Sequence, residues 1–166
     1  MKYLQDLQDI LDFVLRIESL DEAKVWARIL DKLSTTLGFE AATYYSYLAS
    51  KGHLLPVYAI GPNAADLKGT PVDIRTGLCG WVATHRQPLL IEDPYKDPRF
   101  LREVDHVTGF KTRNCLCLPL LDRQDLTGVI QLLNKGAAIT PDDLVFVETA
   151  CHITHLALHA KKEEKS

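Results

Sequence analysis

The sequence predicts an α+β fold, a central antiparallel sheet with the N- and C-terminal helices packed together on one face. Three observations carry this expectation. The long stretches of helical periodicity lie towards the two ends of the chain, before residue 38 and after residue 140. Between them come runs rich in Tyr, Thr, Val and Leu, at about 41–49, 53–60, 114–121 and 126–134. The two members of each pair of runs are joined by short turn sequences, Ser50-Lys51-Gly52 and Asp122-Arg123-Gln124-Asp125, as in hairpins.

The elements follow in order. Residues 2–18 place Leu4, Leu7, Leu11 and Val14 at alternating three- and four-residue steps, a narrow apolar stripe on a helix. At about two heptads it is too short to stand alone and needs a surface to pack against. Ser19-Leu20-Asp21-Glu22 reads as a capping box opening a second helix over about 21–37, which Gly38 ends. After the first hairpin, a loop through Gly61-Pro62-Asn63 and Gly69-Thr70-Pro71 leads to a short helix at about 77–86 with Thr76 as its N-cap. A short strand at 88–92 and an irregular segment at 93–111 containing a helix precede the second hairpin. The last helix opens at Thr140-Pro141-Asp142-Asp143, where Thr caps, Pro suits the first helical position and two carboxylates meet the positive end of the helix dipole. It runs to about 162, leaving residues 163–166 as a polar tail, a frayed end or the start of a connector to a further domain.

Composition bounds the function. The 166 residues suit one domain with its core over about 20–160, and 46% hydrophobic with 25% charged residues is an ordinary globular balance. With 19 basic and 22 acidic residues the net charge is −3, which gives no reason to expect nucleic acid as a partner. There is no apolar run of membrane-spanning length, and the N-terminus is unlike a secretion signal, so the expectation is a cytoplasmic protein with no membrane partner. The four cysteines, Cys79, Cys115, Cys117 and Cys151, match neither paired metal knuckles nor a disulfide scaffold and read as buried thiols, Cys115 and Cys117 sharing one face of a strand. His152, His155 and His159 share a face of the last helix, where a polar stripe accounts for them without a metal.

The stretch Thr76-Gly77-Leu78-Cys79-Gly80-Trp81-Val82-Ala83 is followed by Asp93-Pro94-Tyr95-Lys96-Asp97-Pro98-Arg99-Phe100. Asp105, Thr108-Gly109-Phe110-Lys111-Thr112-Arg113-Asn114, Gly128-Val129-Ile130-Gln131 and Asn134-Lys135 continue the series. In this order they resemble the GAF domains of cyclic-nucleotide phosphodiesterases and adenylyl cyclases, over about residues 20–160. The resemblance implies a GAF-like sheet, a sensory or regulatory role in signal transduction, and a small-molecule pocket bounded by Leu78, Cys79, Thr108, Thr112 and Gln131. Its ligand would be a cyclic nucleotide or another small molecule. It also implies an ion pair between Lys135 and Asp143 beside that pocket, from a family signature matched here at Asn134, Lys135 and Asp143, with Ile139 and Leu144 departing from it.

Each implied role has a physical counterpart. Thr76-Gly77 leads into a helix N-terminus, where the amides of Leu78 and Cys79 suit a phosphate, although a close packing turn explains Gly77 and Gly80 as well. Thr108 and Thr112 can donate and accept, and the Gln131 amide suits a purine edge. Asp105 would repel a phosphate and is given a structural role. Arg99, Arg102, Lys111 and Arg113 add positive charge to the covering segment. Against base reading, Leu101 stands where a relative has Tyr, and Ala59-Ile60 where it has an aromatic residue and an Asp. One branch of the family reduces free methionine sulfoxide, and Cys79 falls on a Cys-bearing position of it. The second cysteine expected after Asp93 is missing from residues 96–114, so no catalysis is expected. A homodimer through the terminal helices is expected, because Leu144, Val147, Cys151, Ile153, Thr154, Leu156 and Leu158 spread over more arc of the last helix than one sheet contact uses. A ligand-free dimerisation scaffold is the alternative, and an output domain or signalling partner would complete either role.

Overall fold

The structure is a computed structural model that describes residues 2–18 and 21–166. The elements are α1 (Leu4–Leu15), α2 (Glu22–Leu37), β1 (Phe39–Leu48), β2 (His53–Ile60), α3 (Ala64–Leu67), β3 (Val72–Asp73), α4 (Gly77–His85), β4 (Leu89–Ile91), α5 (Arg102–Thr108), β5 (Cys115–Asp122), β6 (Asp125–Lys135) and α6 (Pro141–Glu164). A single 3₁₀ turn at Pro94–Lys96 precedes α5. The six strands form one sheet in the order β3-β2-β1-β6-β5-β4, and every neighbouring pair is antiparallel. The α+β class and the two hairpins are as the sequence predicts. The short elements α3 and β3 lie in what reads as loop, since four and two residues are too few to show a period.

The sheet is covered on both sides, and the strand pleat sorts the side chains. Tyr44, Leu116, Leu118, Ile130 and Leu132 join Trp26, Ile29, Phe146 and Val147 in a core beneath α1, α2 and α6. Their alternate neighbours Tyr45, Cys115, Cys117 and Val129 pack with Leu78, Cys79 and Val82 of α4 on the opposite face. The terminal helices thus share one face, while the short helix α4 occupies the other. Burial on both sides is why β5 reads as a continuous apolar run rather than an alternating one.

Four local readings change. The buried stripe of α1 is Tyr3, Ile10, Val14 and Ile17, with Leu7 packed against it, whereas Leu4 and Leu11 are 50% and 40% exposed. The two stripes have the same spacing and share Leu7 and Val14, and Tyr3 decides between them because its hydroxyl donates to the Asp143 carboxylate. The α2 N-cap is Asp21, which accepts from the Lys24 amide at 3.3 Å, and Ser19 lies outside the described residues. Thr76 precedes α4, but its hydroxyl donates to the Asp73 carbonyl at 3.2 Å and does not cap the helix. The last helix continues through the residues read as a tail, to Glu164.

Candidate functional site

One cavity of about 360 Å³ opens on the α4 face of the sheet, within the size range of small-molecule sites. Its floor comes from β1 and β6, its sides from the α3 loop and the N-terminus of α4, and its cover from the segment 100–112. Leu78, Cys79, Thr108, Thr112 and Gln131 all line it. The fold brings them together because β6 runs between β1 and β5, so that Gln131 lies opposite Thr43 on one side and Cys117 on the other.

The turn into α4 has a packing explanation that is specific. Gly77 has φ +72°, a left-handed conformation that favours glycine, and a Cβ on Gly80 would lie 2.6 Å from the Ile74 carbonyl oxygen. Both glycines are therefore needed to seat α4 on the sheet, whatever the cavity holds. Since the Thr76 side chain does not cap, the first-turn amides of α4 are left without a side-chain acceptor.

The cover is braced from within. Asp105 is 6% exposed and accepts from the Tyr95 hydroxyl at 2.8 Å, the Thr112 amide at 2.7 Å and the Thr112 hydroxyl at 2.8 Å. This structural role leaves Thr112 with its hydroxyl proton engaged. The Thr108 hydroxyl likewise donates to the Val104 carbonyl at 2.8 Å, within α5. The two threonines line the cavity as acceptors and methyl groups rather than as free donors. Asn134, with φ +62°, receives the Arg113 amide at 2.6 Å and donates to the Lys111 carbonyl at 2.8 Å, fixing the end of the cover to β6.

The cations of the covering segment do not reach the cavity. Arg99 pairs with Asp97 at 2.6 Å and lies over the Trp81 ring, Arg102 donates to the Tyr95 carbonyl, and Arg113 pairs with Glu40 at 3.1 Å. Lys111 is exposed and does not line the cavity either. Short-range partners two to seven residues away captured the arginines of α5 and its approach.

Lys135 and Asp143 form the ion pair that the family signature implies, yet neither lines the cavity. Asp143 is fully buried, completes a reciprocal capping box with Thr140, and also accepts from Tyr3. Burial opposes its ionisation, but hydrogen bonds from Lys135, the Thr140 amide and Tyr3 outweigh that and hold its carboxyl at about 2. The pair fastens the end of β6 to α6 and α1, on the far side of the sheet from the cavity.

Two features of the cavity wall leave no mark in the sequence. Asn63, read as a turn residue after Gly61-Pro62, is 6% exposed, lines the cavity and makes no side-chain hydrogen bond to α3. A buried amide in a polar loop has no periodicity to mark it. The Cys117 thiol lies 3.6 Å from that of Cys79, joining a buried strand to the cavity wall, and burial pushes the Cys117 thiol well above the ordinary thiol range. On α6, His155 is half-buried while His152 and His159 are exposed, so the three do not share an environment.

The family profile of the GAF domain matches residues 21–158. Among curated proteins, a probable 3′,5′-cyclic phosphodiesterase of Caenorhabditis elegans is 35% identical over 105 residues, 62% of this chain and 14% of that protein. The dual 3′,5′-cyclic-AMP and -GMP phosphodiesterase 11A of Takifugu rubripes is 41% identical over 71 residues, 40% of this chain and 8% of that protein. The chain therefore spans a small part of the length of these relatives. Among solved structures, the GAF domain of a phosphoenolpyruvate-protein phosphotransferase from Coxiella burnetii superposes with a TM-score of 0.83 at 18% identity, covering 100% of this chain and 98% of that one. The free methionine-R-sulfoxide reductase of Neisseria meningitidis, in complex with its substrate, gives 0.76 at 18% identity over 95% and 89%. At these identities the structural likeness speaks for the fold.

Proposed function

Since the chain belongs to the GAF domain family, we propose that it is a cytoplasmic regulatory module that binds a small molecule under the segment 100–112 and passes its occupancy to the terminal helices. The observation that carries this reading is the cavity itself, large enough for a ligand and covered by a segment braced at Asp105 and Asn134. A route to the helices exists in two consecutive residues. Asn134 holds the end of the cover, and Lys135 holds Asp143, which holds Tyr3, the N-cap residue of α1. A shift of the cover on binding thus acts on a strand end that is tied to both terminal helices. We further propose that the module is a homodimer through α1 and α6.

Cysteine chemistry is the second reading, favoured by the contact between Cys79 and Cys117. Against it, an attacking or resolving thiol needs thiolate character, and burial works against that at Cys117. Native mass spectrometry of freshly purified protein tests the binding reading. A retained small molecule that dissociates on unfolding is expected, together with methionine sulfoxide reduction at background. Protein of bare mass that also takes up no small molecule, or turnover abolished by Cys79→Ser, would contradict it.

A further inference from the structure

The lining of the cavity selects by charge. Among the described residues that form it there is no Lys, Arg or His, but there are three carboxylates, Asp66 and Glu103 exposed on its rim and Asp105 buried in its cover. Arg75, Arg99, Arg102 and Arg113, each next in sequence to a lining residue, are engaged by Asp73, Asp97, the Tyr95 carbonyl and Glu40, and the exposed Lys68 and Lys111 lie outside the lining. The first turn of α4 offers unpaired amides and the positive end of a helix dipole. That end amounts to roughly half a charge, against three carboxylates. Its amides serve a neutral acceptor, such as a carbonyl oxygen or ring nitrogen, without drawing a negative group past the rim.

Two neutral amides supply direction. The Asn63 side chain, only 6% exposed, lines the cavity without capping α3, so its amide is open to whatever fills the cavity. Gln131 has only the Cys115 sulfur, 4.0 Å from its Nε2, and its carbonyl end is unpaired. Together they present donors and acceptors to one occupant, between apolar walls that include Phe100, Leu101 and Phe110.

Resting on the reading of this cavity as the ligand site, we propose that its occupant is an uncharged, largely apolar ring compound with an amide-like hydrogen-bonding edge, read by Asn63 and Gln131, and that anions, cyclic nucleotides included, are rejected. The test is a two-dimensional NMR screen of ¹⁵N-labelled protein. The probes are size-matched heteroaromatic fragments in neutral and carboxylate- or phosphate-bearing sets, with cyclic AMP and cyclic GMP added separately. Neutral fragments should bind and shift the side-chain amide resonances of Asn63 and Gln131 in the wild-type protein. Asn63→Ala and Gln131→Ala should each weaken that binding about tenfold, the loss expected for one buried hydrogen bond. Anionic fragments should bind at least about tenfold more weakly than their neutral counterparts. Equal or tighter binding of the anionic set, or of either cyclic nucleotide, overturns the charge selection and leaves the binding reading standing. Binding by neither set overturns both.

Discussion

At the scale of single residues, Asp143 joins three elements. It caps α6, pairs with Lys135 at the end of β6 and accepts from Tyr3 at the start of α1. Its carboxyl is held at about 2 in the folded protein, against about 3.9 for an unperturbed Asp. A depressed carboxyl contributes stability that is fully present above the unfolded value and is lost as pH falls through the folded one. Chemical denaturation should therefore show a loss of about 2 kcal/mol between pH 4 and pH 2 from this group, and Asp143→Asn should flatten that portion of the profile. At neutral pH, Lys135→Met should cost about 3–5 kcal/mol, because it leaves a fully buried carboxylate without its cation. A loss under 1 kcal/mol in the same assay would show that Tyr3 and the Thr140 amide suffice.

At the scale of elements, the four long strands and the long helices were legible in the sequence because each carries its pattern or composition over eight residues or more, whereas β3, two residues long, was not. The cap of α6 was legible from Thr140-Pro141-Asp142-Asp143 alone. The register of α1 was not. Two stripes of equal spacing run along it, and the choice between them was made by a hydroxyl contact 140 residues away. The cavity's outline was legible through the family resemblance, whereas its polarity was not, since the partners of Arg99, Arg102, Thr108 and Thr112 are set by local geometry. The corrected register also redraws the proposed dimer contact. Leu4, Leu11 and Leu15 of α1 and Val145 and Leu156 of α6 are exposed, while Ile153 packs against its own core. Spacings of seven and eleven residues put each set on one side of its helix, and a second copy of the chain would cover both in a symmetric contact. Light scattering at micromolar concentration should give a dimer for the wild type and a folded monomer for Leu11→Asp combined with Leu156→Asp, as each change places an unpaired carboxylate in the seam. A wild-type monomer, or a variant that remains dimeric, would contradict this contact.

At the scale of the whole molecule, the sheet separates two layers with different tasks. The layer of α1, α2 and α6 is a packed core in which Trp26, Phe146 and Ile10 are almost completely buried. The opposite layer holds the cavity, and among the described residues no helix is long and apolar enough to cross a membrane. The layers meet at the end of β6, where Asn134 faces the cover and Lys135 faces the helices. A regulatory module needs such a junction, because a ligand changes a distant element only through contacts that differ between the free and bound states. Hydrogen exchange read by mass spectrometry, with and without a neutral fragment at saturation, tests this most directly. Slower exchange is expected in residues 101–113 and, with them, in α1 and the first turns of α6, the latter protection being lost in Lys135→Met while the former persists. Protection confined to residues 101–113 in the wild type, or none there at all, would contradict it.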